Sequence, residues 1–218
     1  MVTTALQQLE TDEQRFIFEG VDWSFYQTIL DRLEDRHVFV TFDGQRLELM
    51  SPSWKHERHS DLLARLVVMA CEESQLPFLT GGSTTFNKKD LNRGLEPDHC
   101  FYIQNVGALV GKRKVNLSTD PPPDLAIEVE ISHRLLDRID IYGRLRIPEI
   151  WRHDGASTRV LLLGRAGRYK PAEKSAAIPW LPLDELDRLL QRSWGMDDLE
   201  WNKLARMKIR QILKRALR

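Results

Sequence analysis

The ten residues PDLAIEVEIS, at positions 123–132, contain the clearest β-strand of the sequence and decide the fold prediction. Successive side chains of a strand point to opposite faces, so alternate residues share an environment. One face comprises Leu125, Ile127, Val129 and Ile131, and the other Ala126, Glu128 and Glu130. Two like charges on one face of a central strand repel and are costly to desolvate. The pattern therefore fits either an edge strand with a solvent-facing side or a site where a divalent cation binds both carboxylates.

Helical and extended patterns surround this strand on both sides, and the sequence has no internal repeat. Apolar periodicity predicts helices over residues 22–36, 56–73 and 135–145, and two more that begin near Pro182 and Met196. Asp-Gly pairs at 43–44 and 154–155 predict two hairpins, and further strands are expected around 78–86 and 99–103. This order predicts an α+β fold with a mixed central sheet flanked by helices, an N-terminal helix and hairpin, and a C-terminal helical extension.

We divide the chain into a polar N-terminal tail (1–20), a central domain (21–180) and the C-terminal helical extension (181–218). The last helix has an apolar side and a basic side. The apolar side comprises Leu204, Ala205, Ile212, Leu213 and Ala216, and the basic side Lys203, Arg206, Arg210, Lys214 and Arg218. Such a helix is expected to dock on a nucleic-acid backbone or on a second subunit, as in a homodimer, unless its basic side is simply a solvated surface.

Composition excludes several classes of protein. The 218 residues are 42% hydrophobic and 29% charged, and 32 basic residues balance 32 acidic ones. This excludes a disordered chain and a uniformly basic surface. Two cysteines, Cys71 and Cys100, are too few for a disulfide scaffold or a four-cysteine zinc site. The polar N-terminus is unlike a signal peptide and no apolar run could span a membrane, so we expect a cytoplasmic protein.

A metal site at Glu128 and Glu130 needs a further carboxylate, and Asp98 in Glu96-Pro97-Asp98 is the best candidate. Asp124 also follows a proline, but it precedes Glu128 on the same strand by roughly 13 Å, at ~3.3 Å per residue. Glu48, at the end of the first hairpin, is a plausible fourth oxygen donor. Oxygen ligands without cysteine favour Mg²⁺ or Mn²⁺ over zinc.

Other candidate sites have weaker support. The sequence lacks nucleotide-binding glycine motifs, a nucleophile elbow and a zinc-protease motif. Cys100 fits a buried structural cysteine better than a nucleophile. His56 and His59, three residues apart, fit either a metal pair or an ordinary polar helix face.

Several motifs together resemble the Uma-type branch of the PD-(D/E)XK nuclease superfamily, whose members are similar to restriction endonucleases. The likeness covers roughly residues 20 to 170. Its motifs are LELMSPSWKHE with Glu48, Ser51, Pro52 and His56, then Glu96-Pro97-Asp98, PDLAIEVEIS, Asp137-Arg138, Tyr142 and Ile147-Pro148-Glu149-Ile150-Trp151.

The resemblance implies metal-dependent hydrolysis of a nucleic-acid phosphodiester, in DNA or RNA. Asp98, Glu128 and the Val129 carbonyl would hold the metal, and Glu48 would complete the acidic cluster. The position of the superfamily's lysine is occupied by Glu130, which can act as a metal ligand or base but supplies no positive charge. Arg138 could supply that charge, but it stays protonated and cannot act as a base.

Three functions follow as hypotheses. The first is a Mg²⁺-dependent endodeoxyribonuclease. The second is a nuclease-fold protein that lost catalysis with the lysine and binds nucleic acid or a protein partner. The third, a glycosidase, is disfavoured because Glu128 and Glu130 share one strand and do not flank a cleft. Tyr142 and Trp151 are expected to be structural and not base-stacking residues.

Overall fold

The computed structural model describes residues 4–6, 13–33, 36–132 and 135–218, and in these residues the strands form two six-stranded sheets. Sheet 1 is antiparallel, in the order β1-β2-β4-β3-β7-β6. Its strands are β1 (Thr4–Leu6), β2 (Gln14–Glu19), β3 (Phe39–Phe42), β4 (Arg46–Ser51), β6 (Phe86–Lys88) and β7 (Arg93–Leu95).

Sheet 2 has the order β12-β11-β10-β9-β8-β5 and is mixed, because β9 and β10 are parallel while the other neighbours are antiparallel. Its strands are β5 (Leu79–Thr80), β8 (His99–Tyr102), β9 (Leu125–Val129), β10 (Glu149–His153), β11 (Thr158–Leu163) and β12 (Tyr169–Ala172). The α-helices are α1 (Trp23–Leu33), α2 (Trp54–Glu73), α3 (Val106–Leu109), α4 (Arg138–Leu145), α5 (Leu183–Arg192) and α6 (Asp198–Ala216). The predicted α+β class with a mixed sheet is confirmed. The prediction had one central sheet, and sheet 1 is a second one.

Strand β9 lies between β8 and β10 and is buried on both faces. Leu125, Ile127 and Val129 pack in the largest apolar cluster, to which α2 contributes. Ala126 packs on the opposite side with Ile141 and other residues of α4. The predicted alternation is therefore correct, but the edge-strand interpretation is wrong, because a strand of the sheet lies on either side of β9.

Several boundaries differ from the prediction for identifiable reasons. Gln14–Glu19, which the sequence analysis placed in a polar tail, is strand β2 and pairs along its whole length with β4. The predicted strand over 78–86 is interrupted by a turn, where Gly82 has a φ of 54°. Helix α4 begins at Arg138 and not at 135, because the Asp137 carboxylate accepts hydrogen bonds from the first backbone amides.

Helix α6 partly matches its predicted amphipathic pattern. Ala205 and Ile212 are buried, whereas Ala216 is exposed. On the basic side, Arg206 and Arg210 pair with Glu72 and Glu73 at the end of α2, at 2.7–2.9 Å. This side of α6 is therefore partly neutralised within the chain. In the described part of the protein, no helix combines the length and apolar character needed to cross a membrane.

Trp151 illustrates the core of sheet 2 and allows a stability test. Its side chain is fully buried in the largest cluster, and its indole N–H donates to Glu149 Oε1 at 2.6 Å. Trp151→Ala should lower the free energy of unfolding by about 3–5 kcal/mol, as truncations of large buried side chains do. Trp54→Ala is the control, since Trp54 is 71% exposed and its removal should change urea denaturation little. Equal stability of the two variants would contradict this packing.

Candidate active site

Glu128 is buried on the α4 side of β9 and is neutralised there by α4. Arg138, the first residue of α4, places Nη2 2.7 Å from Glu128 Oε1, and the Tyr142 hydroxyl, one turn later, donates to the same oxygen. Only 3% of Glu128 is exposed. Burial would lower the pKa of Arg138, but the Glu128 charge raises it, so Arg138 stays protonated. Burial and the same charge raise the pKa of Tyr142.

Asp98 immediately precedes β8, the strand next to β9. The antiparallel register pairs His99 with Ile127, so Asp98 comes one residue further along, opposite Glu128. Asp98 Oδ2 accepts a hydrogen bond from the Val129 amide at 2.5 Å. The further carboxylate that the sequence analysis named thus lies next to Glu128 in the sheet register.

His56 joins Asp98 to Glu13, the residue that precedes β2. Its Nε2 lies 3.2 Å from Asp98 Oδ1, and its Nδ1 lies 2.9 Å from Glu13 Oε1. The local sequence fixes this position, because Ser53 caps α2 and its hydroxyl accepts a hydrogen bond from the His56 amide. Burial would lower the pKa of His56, but Asp98 and Glu13 raise it to about 9, so the imidazole is a cation at neutral pH.

Arg15 of β2 extends this network to Glu48. Its Nη1 lies 2.8 Å from Glu48 Oε1 and its Nη2 3.3 Å from Glu13 Oε2. The second oxygen of Glu48 accepts a hydrogen bond from the Leu135 amide at 3.1 Å. Burial would raise the pKa of Glu13, yet hydrogen bonds from His56 and Ser132, with the charges of His56 and Arg15, lower it to about 2. Glu48 is therefore connected to Asp98 only indirectly among these contacts, through Arg15, Glu13 and His56.

Glu130 follows β9 and pairs with Arg152 of β10, whose Nε lies 2.6 Å from Glu130 Oε2. The parallel register sets Arg152 directly beside Glu128. A cavity of about 280 Å³ opens here, lined by Glu128, Glu130, Arg138, Arg152 and the loop at 135–137. The Arg152 side chain is 44% exposed, so it can reach a molecule entering the cavity. The cavity beside Glu128 thus has two arginines, the buried Arg138 and the accessible Arg152.

The donor set can be compared with the needs of a divalent cation. Among the described residues, no group of three or more His, Cys, Asp or Glu side chains is arranged to hold a metal ion. Glu130 is directed to Arg152, so the three predicted carboxylates do not form a preassembled cage. Mg²⁺, however, usually binds one or two carboxylates and keeps several waters. The adjacent carboxylates of Asp98 and Glu128 fit that requirement, and the assignment of ligands stays a prediction.

The second histidine of α2 belongs to a different network. His59 Nδ1 lies 2.8 Å from His153 Nε2, and His153 Nδ1 lies 3.0 Å from the Thr158 hydroxyl, which donates to Asp187 at 2.6 Å. Burial lowers the pKa of both histidines to about 4, so both are neutral. His56 and His59 therefore have separate partners and form neither the metal pair nor the exposed polar face that the sequence suggested.

Two dismissed candidates have structural roles. Asp124 accepts hydrogen bonds from the backbone amides of Ile103 and Asn105 at 2.7 and 2.9 Å, so it shapes the loop after β8. Cys100 is fully buried, and burial raises the pKa of its thiol to about 12. The structural interpretation of Cys100 is confirmed.

Glu13, Arg15 and Arg152 were not predicted from the sequence as residues of the site. The available signal for the first two was the β-rich run Phe16-Ile17-Phe18, which indicates a strand where a tail was expected. For Arg152 it was a basic residue within the predicted strand Glu149–His153, which follows the strand that carries Glu128. Periodicity within one segment does not reveal the partners of these three residues, because their ion pairs join distant segments of the chain.

The buried histidine pair predicts how stability depends on pH. In the unfolded chain His153 titrates near 6.5, but in the folded protein its pKa is about 4. Between these values the unfolded state binds more protons, so stability is fully present above about pH 6.5 and falls as the pH drops toward 4. The loss attributable to His153 is at most about 3 kcal/mol.

Urea denaturation at pH 7 and 4.5 measures this effect. His153→Gln should show a smaller fall in stability between the two pH values than the wild type. His37→Gln is the control, since the His37 side chain is 69% exposed and should leave the wild-type dependence intact. A fall of wild-type size in His153→Gln would contradict the assignment.

Comparison with known proteins identifies the family of the chain. No curated protein matches the chain. The model of one family, Uma2, described as "Putative restriction endonuclease", matches residues 23–192. This range contains β3 to β12 and α1 to α5, and with them Asp98, Glu128, Glu130 and Arg138. The chain therefore belongs to the Uma2 family of restriction-endonuclease-like proteins.

Proposed function

We propose that the chain is a metal-dependent endonuclease that hydrolyses phosphodiester bonds of a nucleic acid, with DNA as the first candidate and RNA as the second. The observation that carries the proposal is the adjacency of Asp98 and Glu128 across β8 and β9, beside a cavity with an accessible arginine. Membership of a family described as restriction endonucleases supports the same reaction class.

Each group has a chemical role in this proposal. Asp98, Glu128 and the Val129 carbonyl would hold Mg²⁺ or Mn²⁺, which when bound supplies Lewis-acid activation of a phosphate and of a water nucleophile. Arg138 and Tyr142 fix the orientation of the Glu128 carboxylate through their contacts to Oε1. Asp98 is held by the Val129 amide and by the His56 cation.

Arg152 replaces the missing lysine as the source of positive charge. A phosphodiester gains negative charge in the transition state, and a guanidinium aimed at its oxygens stabilises that charge. Glu130 positions this guanidinium through hydrogen bonds from Nε at 2.6 Å and an ion pair with Nη2 at 2.5 Å. Where the superfamily has its lysine, this chain has Glu130, and the Arg152 that pairs with Glu130 keeps a cation at the same cavity.

One observation favours a second candidate, a protein of this fold that binds nucleic acid or a protein without cleaving. Glu128 already has a buried cation beside it, and a metal ion there would share the carboxylate with Arg138 and Tyr142. Localisation in the cytoplasm and assembly as a homodimer remain proposals under either function.

Plasmid nicking with Mg²⁺ or Mn²⁺ tests the proposal. The wild type should convert supercoiled plasmid to the open-circular form, and Asp98→Asn should reduce nicking to the metal-free level, because it removes a ligand charge. Asp140→Asn is the control, since Asp140 is an exposed carboxylate of α4 that pairs with Arg144. Nicking by Asp98→Asn at the wild-type rate would refute the assignment, and a wild type that binds but never nicks would favour the second candidate.

Arg152→Gln tests the source of positive charge. Nicking should fall by about 10²-fold, the cost of removing one transition-state donor. The melting temperature should stay close to wild type, because an exposed ion pair contributes little to stability. Arg152→Lys should recover part of the rate, and the exposed Arg144→Gln should have no effect. If Arg152→Gln nicks as fast as wild type, the charge comes from another group.

A further inference from the structure

Three exposed arginines occupy the C-terminal end of α4 and the hairpin turn beside it. Arg146 is the C-cap residue of the helix, and Arg165 and Arg168 belong to the turn that joins β11 to β12. Hydrogen bonds from the Gly164 amide to the Arg168 carbonyl and from the Gly167 amide to the Gly164 carbonyl, both at 2.9 Å, close this turn. We call Arg146, Arg165 and Arg168 the arginine cluster.

Helix α4 and the turn are in direct contact. A Cβ added to Gly143 would lie 2.8 Å from the Gly167 carbonyl oxygen, so only glycine allows the helix to approach the turn this closely. A Cβ added to Gly167 would lie 3.7 Å from Arg146 Nη1, so the Arg146 guanidinium is beside the turn that carries the other two arginines. The backbone packing therefore brings the three cations to one region of the surface.

The charge of this region stays positive after its carboxylates are counted. Within the described residues none of the three arginines forms an ion pair, whereas Arg144, on the same helix, pairs with Asp140 at 2.7 Å. The other carboxylates near this end of sheet 2 are either buried with partners of their own or exposed next to a lysine. They are Asp120, which pairs with Lys112, then Asp124, Glu149 and Asp90, which follows Lys89. On the opposite side of the sheet, the carboxylates at the end of α2 are paired with α6.

The dipole of α4 explains only part of this positive charge. A cation at the C-terminal end of a helix is favourable, which accounts for Arg146. Arg165 and Arg168 lie in a turn where no helix ends, and from residue 155 to residue 172 the chain has no Asp or Glu. The charges of these two arginines are thus not explained by helix stability and indicate a surface for an anionic partner.

The loop after β8 enlarges the positive surface. Arg113 and Lys114 are exposed, and the next residue, Val115, packs in the same apolar cluster as Leu145 at the end of α4. The loop is therefore on the α4 side of sheet 2, at the end where β8 leaves the sheet.

The arginine cluster and the cavity beside Glu128 lie on the same side of sheet 2, at opposite ends of α4. Glu128 contacts Arg138, the first residue of the helix, and Arg146 follows its last residue. A Cβ added to Gly143 would lie 3.8 Å from Tyr169 Cε2, so the hairpin packs against the helix just beyond the turn. A helix of 8 residues is about 12 Å long, which corresponds to about three base-pair steps of a duplex.

The chemistry of the surface favours a duplex over an unpaired strand. Guanidinium groups bind phosphate oxygens, and duplex DNA presents one negative charge per ~1.7 Å of its axis. An unpaired strand is held in addition by aromatic rings on which its bases stack. Tyr169, the aromatic residue of this hairpin, is not free to stack, because its hydroxyl donates to the Ile147 carbonyl and its ring lies beside α4.

We propose that the arginine cluster binds the phosphate backbone of a nucleic-acid duplex, so that the duplex runs along α4 toward the cavity beside Glu128. The contacts are to phosphates, so binding at the cluster is independent of base sequence. The path toward the cavity rests on the proposed function, whereas duplex binding at the cluster does not.

Fluorescence anisotropy with a fluorescein-labelled 20-base-pair DNA duplex tests the binding, using the full chain in EDTA so that no cleavage occurs. The wild type should bind this duplex more tightly than labelled dT20. Arg146→Gln, Arg165→Gln and Arg168→Gln combined in one variant should weaken duplex binding. The slope of log Kd against log salt concentration should fall by about two to three units, about 0.9 for each lost phosphate contact. A second duplex of different sequence should show the same loss.

A second triple variant, with Arg188→Gln, Arg192→Gln and Arg215→Gln, is the matched control. It removes the same charge from exposed arginines of α5 and α6, whose apolar residues pack on the α2 side of sheet 2. It should keep the affinity and the salt dependence of the wild type. Melting temperatures identify a misfolded variant. If the cluster variant is misfolded, Arg165→Gln and Arg168→Gln are measured singly, and each should lower the slope by about one unit.

An unchanged slope in the cluster variant, equal losses in the two triple variants, or a wild type that prefers dT20 would overturn the proposal. Duplex binding that depends on the cluster, without any plasmid nicking by the wild type in Mg²⁺ or Mn²⁺, would support the surface and refute the nuclease. Plasmid nicking by the wild type, with an unchanged slope in the cluster variant, would refute the surface and support the nuclease.

Discussion

The burial of the Glu128 carboxylate constrains the arrangement around it. A charge that is 3% exposed is tolerated only beside a partner, and the loss of either partner would leave an uncompensated charge in the interior. Arg138 is that partner, which requires α4 to begin where its first residue faces β9. Asp137 enforces this start by capping the helix, and Tyr142 reaches the same oxygen one turn later. The docking of α4 is thus set by electrostatics as well as by its apolar contacts.

A second buried ionic network connects the two sheets. Arg15 belongs to β2 of sheet 1 and Glu13 immediately precedes that strand. His56 links Glu13 to Asp98, which lies beside β9. Such networks contribute little net stability, because desolvation offsets most of the attraction, but incorrect pairings are penalised strongly. The network therefore specifies how β2 is placed against α2. It also places the His56 cation beside Asp98 Oδ1, which fixes the orientation of that carboxylate.

The sequence allowed the elements to be predicted better than their partners. The alternation of PDLAIEVEIS predicted the environment of Ala126 and Ile127 correctly, because period-two patterning reflects burial directly. The pairing of Glu130 with Arg152 was not predictable in this way, since it depends on which strand lies beside β9. The same limit applies to β2 and the residue before it, because the charged residues Glu13 and Arg15 suggest a tail until their buried partners are known. Asp98 was found because a motif, and not periodicity, marked it.

The position of β2 has a consequence for any shortened version of the chain. The family match begins at residue 23, yet β2 covers one edge of β4 and supplies Arg15 to Glu48. A fragment reduced to the matched range would leave backbone donors and acceptors of β4 open along six residues, a template for pairing with other chains. It would also leave Glu48 as a buried carboxylate without its partner Arg15. In addition, it would expose the apolar side of α2 that packs against α6. Such a fragment would aggregate before its chemistry could be assayed.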